Sequence, residues 1–525
     1  MNNKIKNSLI GGIIIISLVY LFLGLIFRPI VCNDAINGML SLHNHLQGTG
    51  WNKVLILSSN GLGVKEAQLT WWAPGQYQIP YLLSKIFSIS IGTAIIIILF
   101  VALCSGSFFY YKLFKLSGLK PEIVLCAILI LLLQRFVNIF FIEYNSCDLF
   151  LFFFTPFYIY TYYTLIKNYR NQLVLKLILL TALNTLGLFI KNSFILFELA
   201  FNVFLIVEYF FDNYTKPMYQ RPGKFILPAR LLTLLPLLVA NLLNYYFFLR
   251  LGETPTKSYG LLLTVSNILT GIFAPVMEIL FGSLSLSGIY GSFYDKITLS
   301  PSMLSVGIVV ILLMIGYALY LKKAEMLNSF KKDRLYRLIC VLAIMYIMFW
   351  FVFIVKQCAI SNEDRLFLPM SILVFPYILN SVITTKNIIK YGYIGLVFFS
   401  IAYGMLTFVY RIKTRSQNGS LISKNPNLNG FKLYNVDGTS QAQLDSISKF
   451  ISYKFAKDYI ILSNPEIAFG LNLANKFILT NTSVVPDLQQ IHYLVLVKIG
   501  RDIPPTGFKQ VYSIAKFAIY KPDNN

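Results

Sequence analysis

Polar side chains that could do chemistry lie in four short segments, each next to a long apolar run. Asp34 follows the first run, and Glu143 and Asp148 lie between two later ones. Lys191 and Arg365 each adjoin another apolar run. A carboxylate can deprotonate a hydroxyl group, and a cation can hold a departing phosphate. These side-chain types favour transfer of a sugar from a phosphate to a hydroxyl, and a second acid could bind a divalent metal or orient the acceptor.

The elements that must position these side chains are apolar runs long enough to cross a bilayer. The chain has 525 residues, of which 56% are hydrophobic and 13% charged, and its mean hydropathy is +0.66. A run of about 18 or more apolar residues can span a membrane as a helix. The sequence therefore predicts a polytopic α-helical membrane protein with about eleven transmembrane helices. The predicted spans are Ile10–Phe27, Ile91–Tyr111, Ile123–Ile142, Leu149–Ile166, Leu173–Ile190, Ser193–Phe211, Leu231–Leu249, Met303–Leu321, Leu338–Val355, Leu366–Ile383 and Tyr391–Tyr410.

The basic residues orient these spans. With Lys4 and Lys6 in the cytoplasm, the later basic clusters all fall on the cytoplasmic side, as the positive-inside rule requires. These clusters and contact with anionic membrane lipids explain the net charge of +23, so we expect no nucleic-acid partner. We expect the cell inner (plasma) membrane, with the N-terminus cytoplasmic and the C-terminal region extracytoplasmic. The segments predicted to lie outside, 28–90, 143–148, 191–192 and 361–365, are called the outer loops.

One further apolar segment, Tyr259–Tyr290, is long enough to cross once. A single crossing would put the basic cluster Lys322–Arg337 outside, against the positive-inside rule. Gly271, Pro275 and Glu278 also interrupt its middle. We expect a re-entrant or interfacial segment packed on the outer face, where protein can cover irregular backbone.

The composition changes near residue 411. Loops rich in Asn, Pro and Gly lead to an amphipathic pattern that predicts a helix at Gln441–Phe455. Short β-branched and aromatic runs then predict strands. We expect two domains: a transmembrane catalytic domain, 1–410, with a large first outer loop, 28–90, and a small extracytoplasmic α/β domain, 411–525.

The order of these segments resembles a family. "NDAINGM" after the first span, "WWAPGQYQIP", "NSCDLFLFFFTPFY", "IKNSFILFE" and "DRLFLPMSILVFPY" follow one another across several hundred residues. Together they look like the GT-C polyprenyl-phosphate-sugar glycosyltransferases, the superfamily of protein O-mannosyltransferases and the lipid A aminoarabinose transferase. The resemblance implies the GT-C fold and covers roughly Ile10–Ile383.

The resemblance assigns roles to the polar residues. Asp34 matches the first-loop acid, the general base on the acceptor side, and Asp148 matches a second acid near it. Lys191 matches the lysine that meets the lipid-linked phosphate, and Arg365 a basic residue near the same phosphate. Glu143 is expected to contact substrate. No cofactor is assigned with certainty, although Asp34 and Asp148 could hold a divalent metal ion. Asn33 and Ala35 stand where many relatives have Asp-Glu, which argues against dependence on a metal. Leu366 stands where relatives often have Tyr, which weakens the match at Arg365.

Aromatic residues of the first outer loop are further candidates for substrate contact. "APGQY", which ends at Tyr77, stands where relatives have a turn that shapes the donor cavity. Trp71 and Trp72 could stack on a sugar, or they could be interfacial aromatics that need no ligand.

Other polar residues have plainer interpretations. We expect His43 and His45 to be surface or interfacial, since their spacing puts them on different helix faces. Arg135 could bind the donor phosphate, although pairing with Glu143 is the expected arrangement. Glu198 and Glu208 could relay protons in a transporter, or could pack against an Asn or Lys of another helix.

The expected function is transfer of a hexosyl or pentosyl group from a polyprenyl-phosphate-linked sugar to a glycan, lipid or protein acceptor on the extracytoplasmic face. No P-loop or Rossmann glycine pattern is present in the sequence, and a lipid-phosphate donor needs none. The alternatives are an O-antigen ligase or polymerase-like enzyme and a transporter. A transporter predicts matching inverted halves with ionisable residues near the bilayer midplane.

The predicted orientation can be tested by labelling. In a variant without the native cysteines, a cysteine at Ser440 should react with an impermeant thiol reagent in intact spheroplasts, and one at Ser329 should not. The opposite labelling pattern would place every outer loop in the cytoplasm and contradict the assignment of the site.

Overall fold

Long helices make up most of the described chain, because apolar runs satisfy their backbone hydrogen bonds internally as helices. The computed structural model describes residues 3–31, 33–57, 64–69, 72–144, 148–167, 172–215, 232, 234–250, 261, 264–285, 323–356, 364–384, 388–417, 421–433, 439–462, 465–478, 494–499, 508–515 and 517–523. Its helices are α1 (Asn3–Phe27), α2 (Asn33–Leu46), α3 (Gly75–Phe87), α4 (Ile91–Leu116), α5 (Pro121–Leu132), α6 (Arg135–Asn138), α7 (Asp148–Lys167), α8 (Leu173–Ile190), α9 (Ile195–Thr215), α10 (Leu234–Asn244), α11 (Val265–Phe281), α12 (Lys323–Lys332), α13 (Arg334–Val355), α14 (Asp364–Ile383), α15 (Ile388–Gln417), α16 (Gln441–Lys454) and α17 (Ile467–Gly470).

Several of these helices can cross a membrane. Six in the described ranges are long and apolar enough, and a seventh span is formed if the bent pair α5–α6 is counted as one. All but one of the predicted spans coincide with helical segments; the exception, 303–321, lies outside the described residues. The prediction of a polytopic α-helical membrane protein with a small α/β region near its C-terminus is confirmed.

The predicted span Ile123–Ile142 is not a straight helix. It breaks after Leu132, and the segment Arg135–Phe141 turns by 60°. The hydroxyl of Tyr20 donates to the Leu132 carbonyl at 2.7 Å, which satisfies one backbone group freed by the break. The polar residues Gln134 and Arg135 lie at this bend. Because the helix breaks here, the prediction of one continuous span over Ile123–Ile142 is wrong.

The segment predicted as re-entrant or interfacial contains α11 and a 3-10 turn, Gly282–Leu284. Gly271 of α11 lies against Phe351, one turn from the end of α13. At the other end, the backbone N–H of Ser283 donates to Ser371 at 2.7 Å, well inside α14. The segment therefore packs against both α13 and α14, and its re-entrant or interfacial course stays a prediction.

A seven-stranded sheet joins the first outer loop to the C-terminal region. Its order is β3-β2-β6-β5-β7-β9-β8, and a separate two-stranded ribbon pairs β1 with β4. The strands are β1 (Ile30–Val31), β2 (Lys53–Leu57), β3 (Val64–Gln68), β4 (Glu143–Tyr144), β5 (Tyr459–Leu462), β6 (Phe477–Ile478), β7 (Leu494–Ile499), β8 (Phe508–Ile514) and β9 (Phe517–Pro522). The hairpin β2–β3 belongs to residues 28–90 but joins this sheet through a parallel pair, Leu55 with Ile478. The α/β unit therefore extends beyond residues 411–525.

The C-terminal region also holds the ends of two transmembrane helices. The carbonyl of Asn429 accepts from the backbone N–H of Gly92, in the first turn of α4. The backbone N–H of Lys432 donates to Pro29, just after α1. These contacts fix the outer loops to the helices below them.

Candidate active site

A buried ion pair joins two of the predicted site residues. Asp148 begins α7, and its side chain is fully buried. Lys191 follows the last residue of α8, and its ammonium group contacts the Asp148 carboxylate with 17% of the side chain exposed. The amino end of a helix favours a carboxylate. The pair places one negative and one positive group together where three helices meet the outer loops.

The turn after α8 is built to bring Lys191 to this position. The backbone N–H of Lys191 donates to Gly187 at 2.9 Å, and a short 3-10 turn leads into α9. Phe194 of that turn packs directly on Gly187, where a Cβ would lie 2.0 Å from its ring. The same ring lies 4.6 Å from that of Tyr158 in α7. Because the turn is packed on α7, the lysine lies over the first residue of that helix.

The β1–β4 ribbon brings the first two acidic loops together. Ile30 pairs with Glu143 and Val31 with Tyr144, in parallel. Asp34 is the second residue of the helix that follows β1, and Asp148 is the first residue of the helix that follows β4. The backbones that carry the two predicted catalytic acids therefore leave the same ribbon. The side chain of Asp34 lies outside the described residues.

Glu143 is buried and forms an ion pair with Arg411, near the end of α15. The expected pairing of Glu143 with Arg135 is wrong. Within the described ranges Glu143 is paired with Arg411, and the Arg135 guanidinium lies 6.0 Å from the ring of Tyr403 instead. Glu143 thus connects the β4 strand to α15, and its contact with substrate stays a prediction.

The predicted cavity turn lies against the end of α8. A Cβ on Gly75 would come within 2.6 Å of the Phe189 carbonyl, so only glycine allows this approach. Tyr77 is buried against Gly38 of α2, and its hydroxyl donates to Asn52. Burial raises the pKa of Tyr77, so it stays a neutral donor. Tyr77 therefore fixes the loop, and its contact with substrate stays a prediction.

The predicted tryptophans have different positions. Trp72 is half-buried against the core, and Trp71 lies outside the described residues. Trp51 was not predicted, yet 39% of it is exposed and its ring lies 5.1 Å from Phe248 and 6.4 Å from Phe189. Trp51 follows Gly50 in the turn between α2 and β2. An aromatic residue next to a glycine in this outer loop could have been recognised from the sequence as a further candidate for substrate contact.

An open apolar groove of about 810 Å³ runs between α8 and α10. It follows α8 from Val174 to Phe189, which is about 22 Å along a helix. Leu235 and Leu243 line its other side. Phe189 is two residues before Lys191 in the chain, so the groove and the ion pair lie at the same end of α8.

The predicted role of Arg365 and the predicted metal site depend on side chains that the structure describes only in part. Arg365 is the second residue of α14, and its side chain is not described. Within the described ranges no group of three or more His, Cys, Asp or Glu residues could hold a metal. A metal between Asp34 and Asp148 would have to share the Asp148 carboxylate with Lys191, so metal binding stays a prediction.

His43 is not surface or interfacial, as had been expected, but fully buried. Its Nε2 atom lies 2.9 Å from the Asn475 carbonyl oxygen. The neighbouring Asn44 side chain both donates to and accepts from the backbone of Phe477 in β6, at 2.6 and 2.7 Å. Burial lowers the pKa of His43. The two side chains attach α2, which carries Asp34, to the C-terminal sheet.

The acidic residues that a transporter could use have packing partners. Glu198 accepts a hydrogen bond from Asn241 at 3.0 Å, as the packing interpretation predicted. Glu208 pairs with Arg334 and lies 3.7 Å from Arg337. These contacts favour a structural role for both carboxylates.

Comparison with known proteins adds three structural similarities. No protein-family model matches the sequence, and no curated protein is detectably similar to it. ArnT from Cupriavidus metallidurans bound to undecaprenyl phosphate is similar over 97% of both chains, with 10% identity and a TM-score of 0.49. Its apo structure is similar over 98% of both chains, with 11% identity and a TM-score of 0.49. The arabinofuranosyltransferase AftD from Mycobacteria is similar over 98% of this chain and 41% of AftD, with 10% identity and a TM-score of 0.45.

The buried ion pair can be tested by unfolding. Lys191→Met removes the buried ammonium group that contacts the Asp148 carboxylate, which should lower the unfolding free energy by about 3–5 kcal/mol. Adding Asp148→Asn should restore part of that loss. Lys53→Met breaks the more exposed pair with Glu66 and should cost about 1 kcal/mol or less. Equal losses for the two lysine variants, measured by denaturant unfolding in detergent, would contradict the burial of the pair.

The burial of His43 predicts a pH dependence. An ordinary histidine has a pKa of 6.5, and the native value is lower. Below about pH 6.5 the unfolded chain therefore binds more protons, and stability falls as the pH decreases. His43→Gln should reduce this loss in melting temperature between about pH 7 and 5.5. An identical pH profile for wild type and His43→Gln would refute the assignment.

Proposed function

We propose that this chain is an integral-membrane glycosyltransferase of the GT-C type. It transfers one hexosyl or pentosyl group from a polyprenyl phosphate to a hydroxyl of a glycan, lipid or protein on the extracytoplasmic face. The observation that carries the proposal is the buried Asp148–Lys191 pair, which lies at the same end of α8 as the end of an apolar groove. A charged group at the end of a long apolar channel fits a ligand with a phosphate head and a hydrocarbon tail.

The groove and Lys191 support the donor class. An apolar chain lying along α8 would leave the groove at Phe189, two residues from Lys191. The ammonium group can then donate to the phosphate, and such charge-assisted hydrogen bonds are among the stronger polar contacts in proteins. Asp148 holds the lysine in place before the donor arrives. Trp51 and Trp72 lie in the same loop and could cover the sugar.

The reaction needs one base and one cation. Asp34 takes the proton from the acceptor hydroxyl, whose oxygen forms a bond to the anomeric carbon. The bond from that carbon to the phosphate oxygen breaks, and its electron pair leaves with the polyprenyl phosphate. Lys191 stabilises the negative charge on that leaving group. If a divalent metal takes part, Asp34 and Asp148 are the residues that would hold it, and the proposed steps do not pass through it.

The role of Asp34 can be tested by substitution. Asp34→Asn keeps the size of the side chain but cannot accept a proton at neutral pH. General-base catalysis contributes about 10²–10⁴-fold, so the variant should lose transfer by that factor and keep its thermal stability. The measurement is transfer of radiolabelled sugar from a purified polyprenyl-phosphate donor in detergent.

Asp445→Asn is the matched control. Asp445 lies on α16, is exposed and pairs with Lys424 at 2.9 Å, so its loss should leave transfer unchanged. Near-normal turnover of Asp34→Asn would refute Asp34 as the base and make Asp148 or Glu143 the next candidate.

A further inference from the structure

A positively charged side chain lies at the bend of the broken span. Arg135 is the first residue after the break, where α15 approaches the bend closely. A Cβ on Gly404 of α15 would lie 2.9 Å from the backbone nitrogen of Arg135 and 3.0 Å from the Leu133 carbonyl oxygen. The bend is therefore tightly packed on one side, and the arginine is half-buried.

No acidic residue in the described ranges neutralises this charge. The two acids that follow it along the chain are used elsewhere, Glu143 with Arg411 and Asp148 with Lys191. The Nε atom of Arg135 is buried and has no hydrogen-bond partner within the described part of the chain. A charge at membrane depth is costly, so an unneutralised arginine there marks a functional site.

Further hydrogen-bond donors lie on the same side of α15. The Gln134 side chain is fully buried; its Oε1 atom accepts from Ser400, while its Nε2 atom has no partner among the described residues. Ser400 and Tyr403, which face Gln134 and Arg135 respectively, are less than one helical turn apart. The amide and the guanidinium therefore point to the same short stretch of α15.

The turn after α11 adds two hydroxyls nearby. Ser400 also lies 2.5 Å from the carbonyl oxygen of Leu284, which joins this turn to Gln134. The flanking Ser283 and Ser285 are buried, and neither hydroxyl oxygen has a hydrogen-bond partner in the described ranges. Guanidinium, amide and hydroxyl donors on these adjoining segments suit an anion with several oxygens.

We propose that Arg135 and Gln134, with the turn at Ser283–Ser285, form a binding site for the phosphate group of a membrane lipid. Water could satisfy the amide and the hydroxyls, but it cannot neutralise the guanidinium charge. The β4 strand begins eight residues after Arg135, so the site lies towards the end of this span that the β1–β4 ribbon joins. It differs from the Asp148–Lys191 pair in its residues and does not depend on the proposed function.

The test measures lipid binding by the purified full-length protein in detergent, by native mass spectrometry. The probes are phosphatidylglycerol, farnesyl phosphate, inorganic phosphate and a phosphate-free diacylglycerol. Arg135→Gln should weaken binding of at least one phosphate-bearing lipid about tenfold or more, the loss expected for a charge-assisted contact. Preference for phosphatidylglycerol would identify a bilayer lipid as the ligand, and preference for farnesyl phosphate would identify a polyprenyl phosphate.

Arg250→Gln is the matched control, because Arg250 also lies over a tyrosine ring, 5.5 Å from that of Tyr246, but is exposed. It should bind as the wild type does. Gln134→Leu provides a second test if Arg135→Gln does not fold. This variant should also bind the phosphate-bearing lipid more weakly than the wild type does. Wild-type affinity in the arginine and glutamine variants, or equal binding of diacylglycerol, would overturn the proposal.

Discussion

The attachment of α2 to the C-terminal sheet is the constraint on which the outer surface depends. The Asn44 side chain makes two hydrogen bonds to the backbone of Phe477, 433 residues away, in the manner of a neighbouring strand. The β2–β3 hairpin extends the same sheet beside this contact. A helix that carries a proposed catalytic acid is thereby held by a unit from the other end of the chain. The C-terminal region thus has a positioning role in addition to any contact with an acceptor.

Below this surface, helix ends position the charged groups. Asp148 and Lys191 lie at the ends of different helices, and the turn through Phe194 holds them together. In a medium of low polarity an unpaired charge is costly, so each partner needs the other until a ligand arrives. A donor phosphate could replace part of the Asp148 contact to Lys191 without exposing either charge to lipid. The ion pair can therefore stabilise the protein without ligand and at the same time keep Lys191 in position to bind a phosphate.

Hydropathy was sufficient to predict the spans, because an apolar run in lipid has few alternatives to a helix. The family resemblance, and not the apolar pattern, implied that the loops of Asp34 and Asp148 would lie near each other. The bend at Leu133–Gln134 could not be predicted, since it depends on Gly404 and Tyr20 from distant helices. The burial of His43 depends on Asn475 in the same way. Local patterns show which residues are polar, but not which distant backbone they reach.

The central claim is that a lipid phosphate, and not a nucleotide, carries the sugar. The most direct measurement is release of polyprenyl phosphate by the purified wild-type protein, using polyprenyl-phosphate-linked hexose and pentose as donors and a cell-envelope extract as acceptor. The account predicts protein-dependent release of the free polyprenyl phosphate together with labelled acceptor, and no transfer from nucleotide sugars. Transfer from nucleotide sugars alone, or no release from either lipid donor, would contradict it.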